Sequence, residues 1–107
     1  MKLIDICGEI VDVENGLLNG TIDFTYDNLM SAMKGRHPME ILDDILADVY
    51  MPLVSKKPVS DMQIEVLISK LTDFQKNFKV NLRKPIKKLK EYLEEHTGGG
   101  SIGSIEG

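Results

Sequence analysis

Ser60-Asp61-Met62-Gln63-Ile64-Glu65-Val66-Leu67-Ile68-Ser69-Lys70-Leu71-Thr72-Asp73-Phe74-Gln75-Lys76-Asn77-Phe78 is the stretch that decides the fold. Ile64, Leu67, Ile68, Leu71, Phe74 and Phe78 recur every three or four residues, which places them on one face of an α-helix. Ser60 followed three residues later by Gln63 is the signature of a capping box, so the helix is expected to begin at 61 and run to about 80. Burying such side chains contributes roughly 1.5–3 kcal/mol each before conformational entropy is charged. If the stripe is core, Leu71→Ala costs about 2–5 kcal/mol.

Upstream, Pro38 suits a first helical position, with His37 before it as N-cap. Ile41, Leu42, Ile45, Leu46, Val49 and Leu53 then share a face, opposite Glu40, Asp43, Asp44 and Asp48. Pro52 lacks an N–H, and its ring crowds the carbonyl four residues back, so this helix is expected to kink or end near Tyr50. Residues 55–59 make a short connection. A shorter helix is expected from Thr25, its N-cap, through Leu29, Met30 and Met33 to a stop at Gly35. Downstream, 85–96 is expected to be helical, with Ile86, Leu89 and Leu93 inward. Its charges run against the helix dipole, with Lys87, Lys88 and Lys90 before Glu91, Glu94 and Glu95. Contact between that basic end and the acidic face of 38–53, within one chain or across a dimer, would account for the order.

The first 24 residues admit two periods. Ile4, Ile6 and Ile10 alternate with Asp5 and Glu9, whereas Leu3, Ile6, Cys7, Ile10, Val13 and Leu17 fit a helix. Gly8 disfavours the helix, and Asn15-Gly16 and Asn19-Gly20 are tight-turn signals. The expectation is therefore a small hairpin with strands at 2–13 and 20–24. Its edge would be open to pairing with a partner. The whole is a mainly α fold, a small bundle of about four helices with an N-terminal β-hairpin, in one domain over 1–97. Residues 98–107, mostly Gly, Ser and Ile, read as a flexible linker or appended tail.

The chain has 107 residues, the usual size of one domain. With no Trp, three Tyr and three Phe, its core has to be aliphatic. The lone Cys7 cannot form an internal disulfide and points to a reducing, cytoplasmic setting. No apolar run approaches the roughly 20 residues of a membrane helix, so no membrane association is expected.

The net charge of −4 averages two unlike halves, −7 over 1–54 and +4 over 55–97. Lys76, Lys79, Arg83, Lys84, Lys87, Lys88 and Lys90 follow one another with no acid between them. Such a run fits a nucleic-acid footprint, an anionic-lipid contact or a solvated face. An acidic chain is repelled by phosphate polyanions, and Phe74 and Phe78 lie on the core stripe rather than beside the basic run, which disfavours nucleic acid.

No catalytic, cofactor or metal site is expected. His37 and His96 lie far apart, without metal-ligand spacing to Cys7 or a carboxylate. Asp43, Asp44 and Asp48 lack a calcium loop, and Gly98-Gly99-Gly100-Ser101 lacks the lysine and helix of a phosphate loop.

Pro38-Met39-Glu40-Ile41-Leu42-Asp43-Asp44-Ile45-Leu46-Ala47-Asp48-Val49-Tyr50-Met51-Pro52-Leu53-Val54 resembles a stretch in the N-terminal tail of dynein heavy chains. There too a helix ends in a valine or aromatic pair, then takes an aliphatic-Pro-aliphatic step like Met51-Pro52-Leu53. The likeness covers about 38–82; the tryptophan-bearing connection usual in that family is replaced by Ser55-Lys56-Lys57-Pro58. The resemblance implies a region that hydrolyses no ATP and brings heavy chains together or docks the tail in an assembly.

Three functions follow as expectations. The first is a non-catalytic protein–protein interaction module, a homodimer or part of a larger assembly. Its candidate interface is Glu40, Asp43, Asp44, Asp48, Tyr50, Lys84, Lys87 and Lys88; a phage-type inhibitor or assembly chaperone is of the same class. The second is a nucleic-acid binder using 76–90. The third, an enzyme, would need a site assembled from scattered carboxylates.

Overall fold

The computed structural model describes residues 2–25 and 36–96, excluding the His96 side chain. The helix expected over 25–35 and the tail 98–107 lie outside the described residues. Four helices are described: α1 (Leu3–Asn19), α2 (Pro38–Val54), α3 (Asp61–Phe78) and α4 (Arg83–His96). Among the described residues there is no strand. α1 packs against α2 and α4, and α3 packs against the same two, so the helices enclose one core. Ile6 and Ile10 of α1, Leu42, Leu46 and Val49 of α2, Leu67, Leu71 and Phe74 of α3, and Leu82 and Leu89 all belong to that core.

α3 is as the spacing predicts. Ser60 Oγ accepts from Gln63 N at 3.2 Å, and Gln63 Oε1 accepts from Ser60 N at 2.9 Å, which closes the capping box. Ile64, Leu67, Leu71, Phe74 and Phe78 are buried, and Ile68 is half-buried against them. The helix stops at Phe78 because Lys79 takes a left-handed φ of 60°. Gln75 Oε1 then accepts from Leu82 N at 2.6 Å and Asn81 Oδ1 from Arg83 N at 3.0 Å, which turns the chain into α4.

The expected hairpin is replaced by α1. Leu3, Ile6, Cys7, Ile10, Glu14 and Leu17 are all buried, a period of three to four, while Ile4 is exposed. The two-residue alternation therefore does not mark the buried face. A helical glycine such as Gly8 costs about 1 kcal/mol relative to alanine. Burying Ile6, Cys7 and Ile10 against α2 and α4 outweighs that several-fold. Asn19-Gly20 does mark a turn, but as a helix end: Gly20 has a φ of 85°, and Asn19 Oδ1 accepts from Thr21 N at 3.0 Å. Residues 23–25 then cross the end of α3, where Thr25 N donates to the Phe78 carbonyl at 2.9 Å.

α2 starts as expected, with His37 Nδ1 accepting from Met39 N at 3.0 Å and the His37 ring edge-on to Phe24, centroids 5.3 Å apart. It does not end near Tyr50 but runs through Pro52 to Val54. The carbonyl that Pro52 cannot serve, that of Asp48, accepts instead from Gln63 Nε2 of α3 at 3.3 Å.

Candidate interface faces

The four acids of α2 are all exposed, as a solvated face requires, and three of them are paired with a cation. Arg36, just before the helix, reaches Glu40 Oε1 at 3.7 Å and Asp44 Oδ2 at 2.5 Å. Asp48 meets Lys70 of α3 at 3.6 Å. Asp43 faces α1, where it stands close to the Glu14 carboxyl and raises it. Exposed pairs such as those of Arg36 and Lys70 contribute only about 0–1 kcal/mol each, so they leave the face available for exchange with a partner's charges.

Glu14 has the most perturbed carboxyl of the bundle. Its side chain is buried beneath the α1–α2 seam, and Oε2 is enclosed with no hydrogen-bond partner. Burial first, then the neighbouring carboxyl of Asp43, push the Glu14 carboxyl up to about 7.

The basic end of α4 meets α1 rather than the acidic face of α2. Lys88 pairs with Glu9, both partly buried. Lys84 lines a recess of about 470 Å³ with Glu9, Asp12 and Val13 of α1. Lys87 is exposed. The charge order of α4, unfavourable to its own dipole, is thus met by the carboxylates of α1. Sequence reasoning missed Glu9, Asp12 and Glu14 as partners because a strand reading of 2–13 puts neighbouring residues on opposite faces. The helical spacing of Leu3 to Leu17 was the signal that could have found them.

Tyr50 is half-buried and packs against the core, so its ring supports α2 from within more than it offers a surface. The exposed apolar side chains lie elsewhere. Met51 is 57% exposed, Met62 70% and Val66 43%. Met62 and Val66 border a cleft of about 240 Å³ with Asp48 and Gln63 along the α2–α3 seam. Met51 follows Asp48 by one turn of the same helix.

Cys7 is fully buried, and burial raises its thiol to about 11, which keeps it protonated and unreactive. Among the described residues, no group of three or more His, Cys, Asp or Glu is placed to hold a metal ion. None of the described helices is long and apolar enough to cross a membrane. No protein-family model, curated protein or solved structure matches this chain.

Proposed function

We propose that this chain is a non-catalytic protein–protein interaction module that self-associates or docks in a larger assembly. The observation that carries the proposal is the apolar surface left on the α2–α3 seam, where Met62 and Val66 lie open beside Asp48, with Met51 exposed three residues further along α2. Covering such side chains would favour association by roughly 1.5–3 kcal/mol each at most. Methionine adapts to irregular partners. Asp44 and Asp48 on α2 and Lys70 on α3 supply both signs of charge beside it, which sets orientation and encounter rate more than affinity.

The tail-docking role of dynein heavy chains is one form of this proposal, supported by the likeness over 38–82. A cytoplasmic setting is supported by the lone Cys7, which has no second cysteine in the chain to pair with.

The test is the solution mass of the full chain by light scattering, across a concentration series at low and at high salt. A dimer or larger species that dissociates on dilution and weakens with salt supports self-association through the charged faces. A monomer throughout removes self-association and leaves docking on a different protein.

A further inference from the structure

A second surface lies at the end of the bundle where α1 begins and α2 and α4 finish. Leu3 and Ile4 of α1, Leu53 and Val54 of α2 and Tyr92 of α4 line a groove of about 630 Å³. Leu3 is part of its buried floor, while Ile4 and Val54 are 37% and 48% exposed. That volume falls within the range of about 300–1,000 Å³ typical of occupied sites, so several aliphatic side chains fit.

The charged residues that line the groove are both lysines, Lys2 and Lys56, in a chain whose net charge is −4. The N-terminus of α1 opens on the same rim, and Lys2, its N-cap, makes no side-chain capping bond. The positive end of the helix dipole therefore adds to the two ammonium groups. Asp5 in the first turn of α1 and Asp61 at the start of α3, near Tyr92, bring two carboxylates to this end of the bundle, but neither lines the groove, whereas both lysines do. Glu91 and Glu95 share α4 with Tyr92 but do not line the groove.

We propose that this groove docks an acidic, aliphatic segment of a partner protein, whose apolar side chains cover Ile4 and Val54 while its carboxylates meet Lys2 and Lys56. A basic segment would bring its cations against two lysines. An uncharged apolar one would leave their attraction unused. The proposal rests on the interaction-module reading but not on self-association, because the surface is distinct from the Met51, Met62 and Val66 seam.

The probe is a phage-displayed random peptide library sorted on the full-length protein, with affinities of the recovered peptides measured at low and high salt. The expected peptides combine Leu, Ile or Val with Asp or Glu. The Lys2→Glu/Lys56→Glu variant should bind them at least about tenfold more weakly while melting at an unchanged temperature. Val54→Asp should weaken the same peptides with both lysines in place. Recovery of basic or charge-indifferent peptides, or binding that both variants leave unchanged, overturns the proposal. So does recovery of no peptide at all. Peptides lost with Met62→Glu and kept with the lysine reversal overturn the groove while supporting the interaction module. Loss of self-association in light scattering touches only the other seam.

Discussion

The Gln63 side-chain amide of α3 donates to the Asp48 backbone carbonyl of α2 at 3.3 Å, and that carbonyl is the one Pro52 leaves without an intrahelical donor. The same side chain closes the capping box with Ser60 through its other terminal atom. One residue thus caps the start of α3 and gives the Asp48 carbonyl the donor that Pro52 removes. Gln63→Ala should destabilise the fold by about 1–3 kcal/mol in urea denaturation. In a Pro52→Ala background the restored N–H serves Asp48 itself, so the cost of Gln63→Ala should shrink by about 0.5–1 kcal/mol. Equal costs in both backgrounds would show that the cross-helix bond contributes nothing.

The two glycines inside α1 should respond in opposite directions. A Cβ at Gly8 would meet nothing within 4 Å, so Gly8→Ala loses only backbone freedom of the unfolded chain and should stabilise by about 0.5–1 kcal/mol. A Cβ at Gly16 would lie 2.5 Å from Ile22 Cδ1 and 2.6 Å from its Cγ1. Ile22 has to shift, and Gly16→Ala should cost about 1–2 kcal/mol. Thermal melts of the two variants on opposite sides of the parent check both. If Gly8→Ala destabilises, 3–19 is not a continuous helix in solution.

These glycines also mark what was legible in the sequence. α3 could be read almost to the residue because stripe, capping box and length all agreed. α1 could not, since Gly8 and two Asn-Gly pairs are local turn signals and the preference that overrides them is tertiary, the burial of Ile6, Cys7 and Ile10 against helices distant in sequence. Pro52 misled for the same reason, its remedy lying on α3. The acidic face of α2 was legible as a projection of one helix. That Asp43 looks to Glu14, and Lys88 to Glu9, required knowing that α1 is a helix.

Stability should fall as pH rises across the range in which Glu14 gives up its proton. Its carboxyl titrates near 7 in the folded chain against 4.5 for the unperturbed group. Between those values the folded state holds a proton that the unfolded state has lost, so the stability it confers is complete below the lower value and lost through the upper one. With solvent screening, the loss should be of the order of 1–2 kcal/mol. Glu14→Gln keeps the shape and removes the charge. Urea midpoints should converge for variant and parent at about pH 5 and separate at about pH 8, the variant being more stable. Parallel profiles would mean that Glu14 ionises in the folded state as freely as in the unfolded one.

The ion pair of Lys88 with Glu9 decides how much of the basic run is structural. Both side chains are about 30% exposed, so the pair is screened less than a surface one, and a double-mutant cycle of Lys88→Ala and Glu9→Ala should return a coupling of about 0.5–1 kcal/mol. Lys87, one residue earlier and exposed, should cost within about 0.5 kcal/mol when replaced by Ala. The contrast also weighs against a nucleic-acid surface over 76–90, because Lys84 and Lys88 both sit beside α1 carboxylates. If it holds, reversal of Lys84, Lys87 and Lys88 to Glu lowers the melting temperature through repulsion from Glu9 and Asp12, and a fluorescent oligonucleotide shows no salt-dependent binding to the parent chain. Strong binding with a steep salt slope, lost in the triple variant, would place these lysines on phosphate and return the basic run to a recognition role.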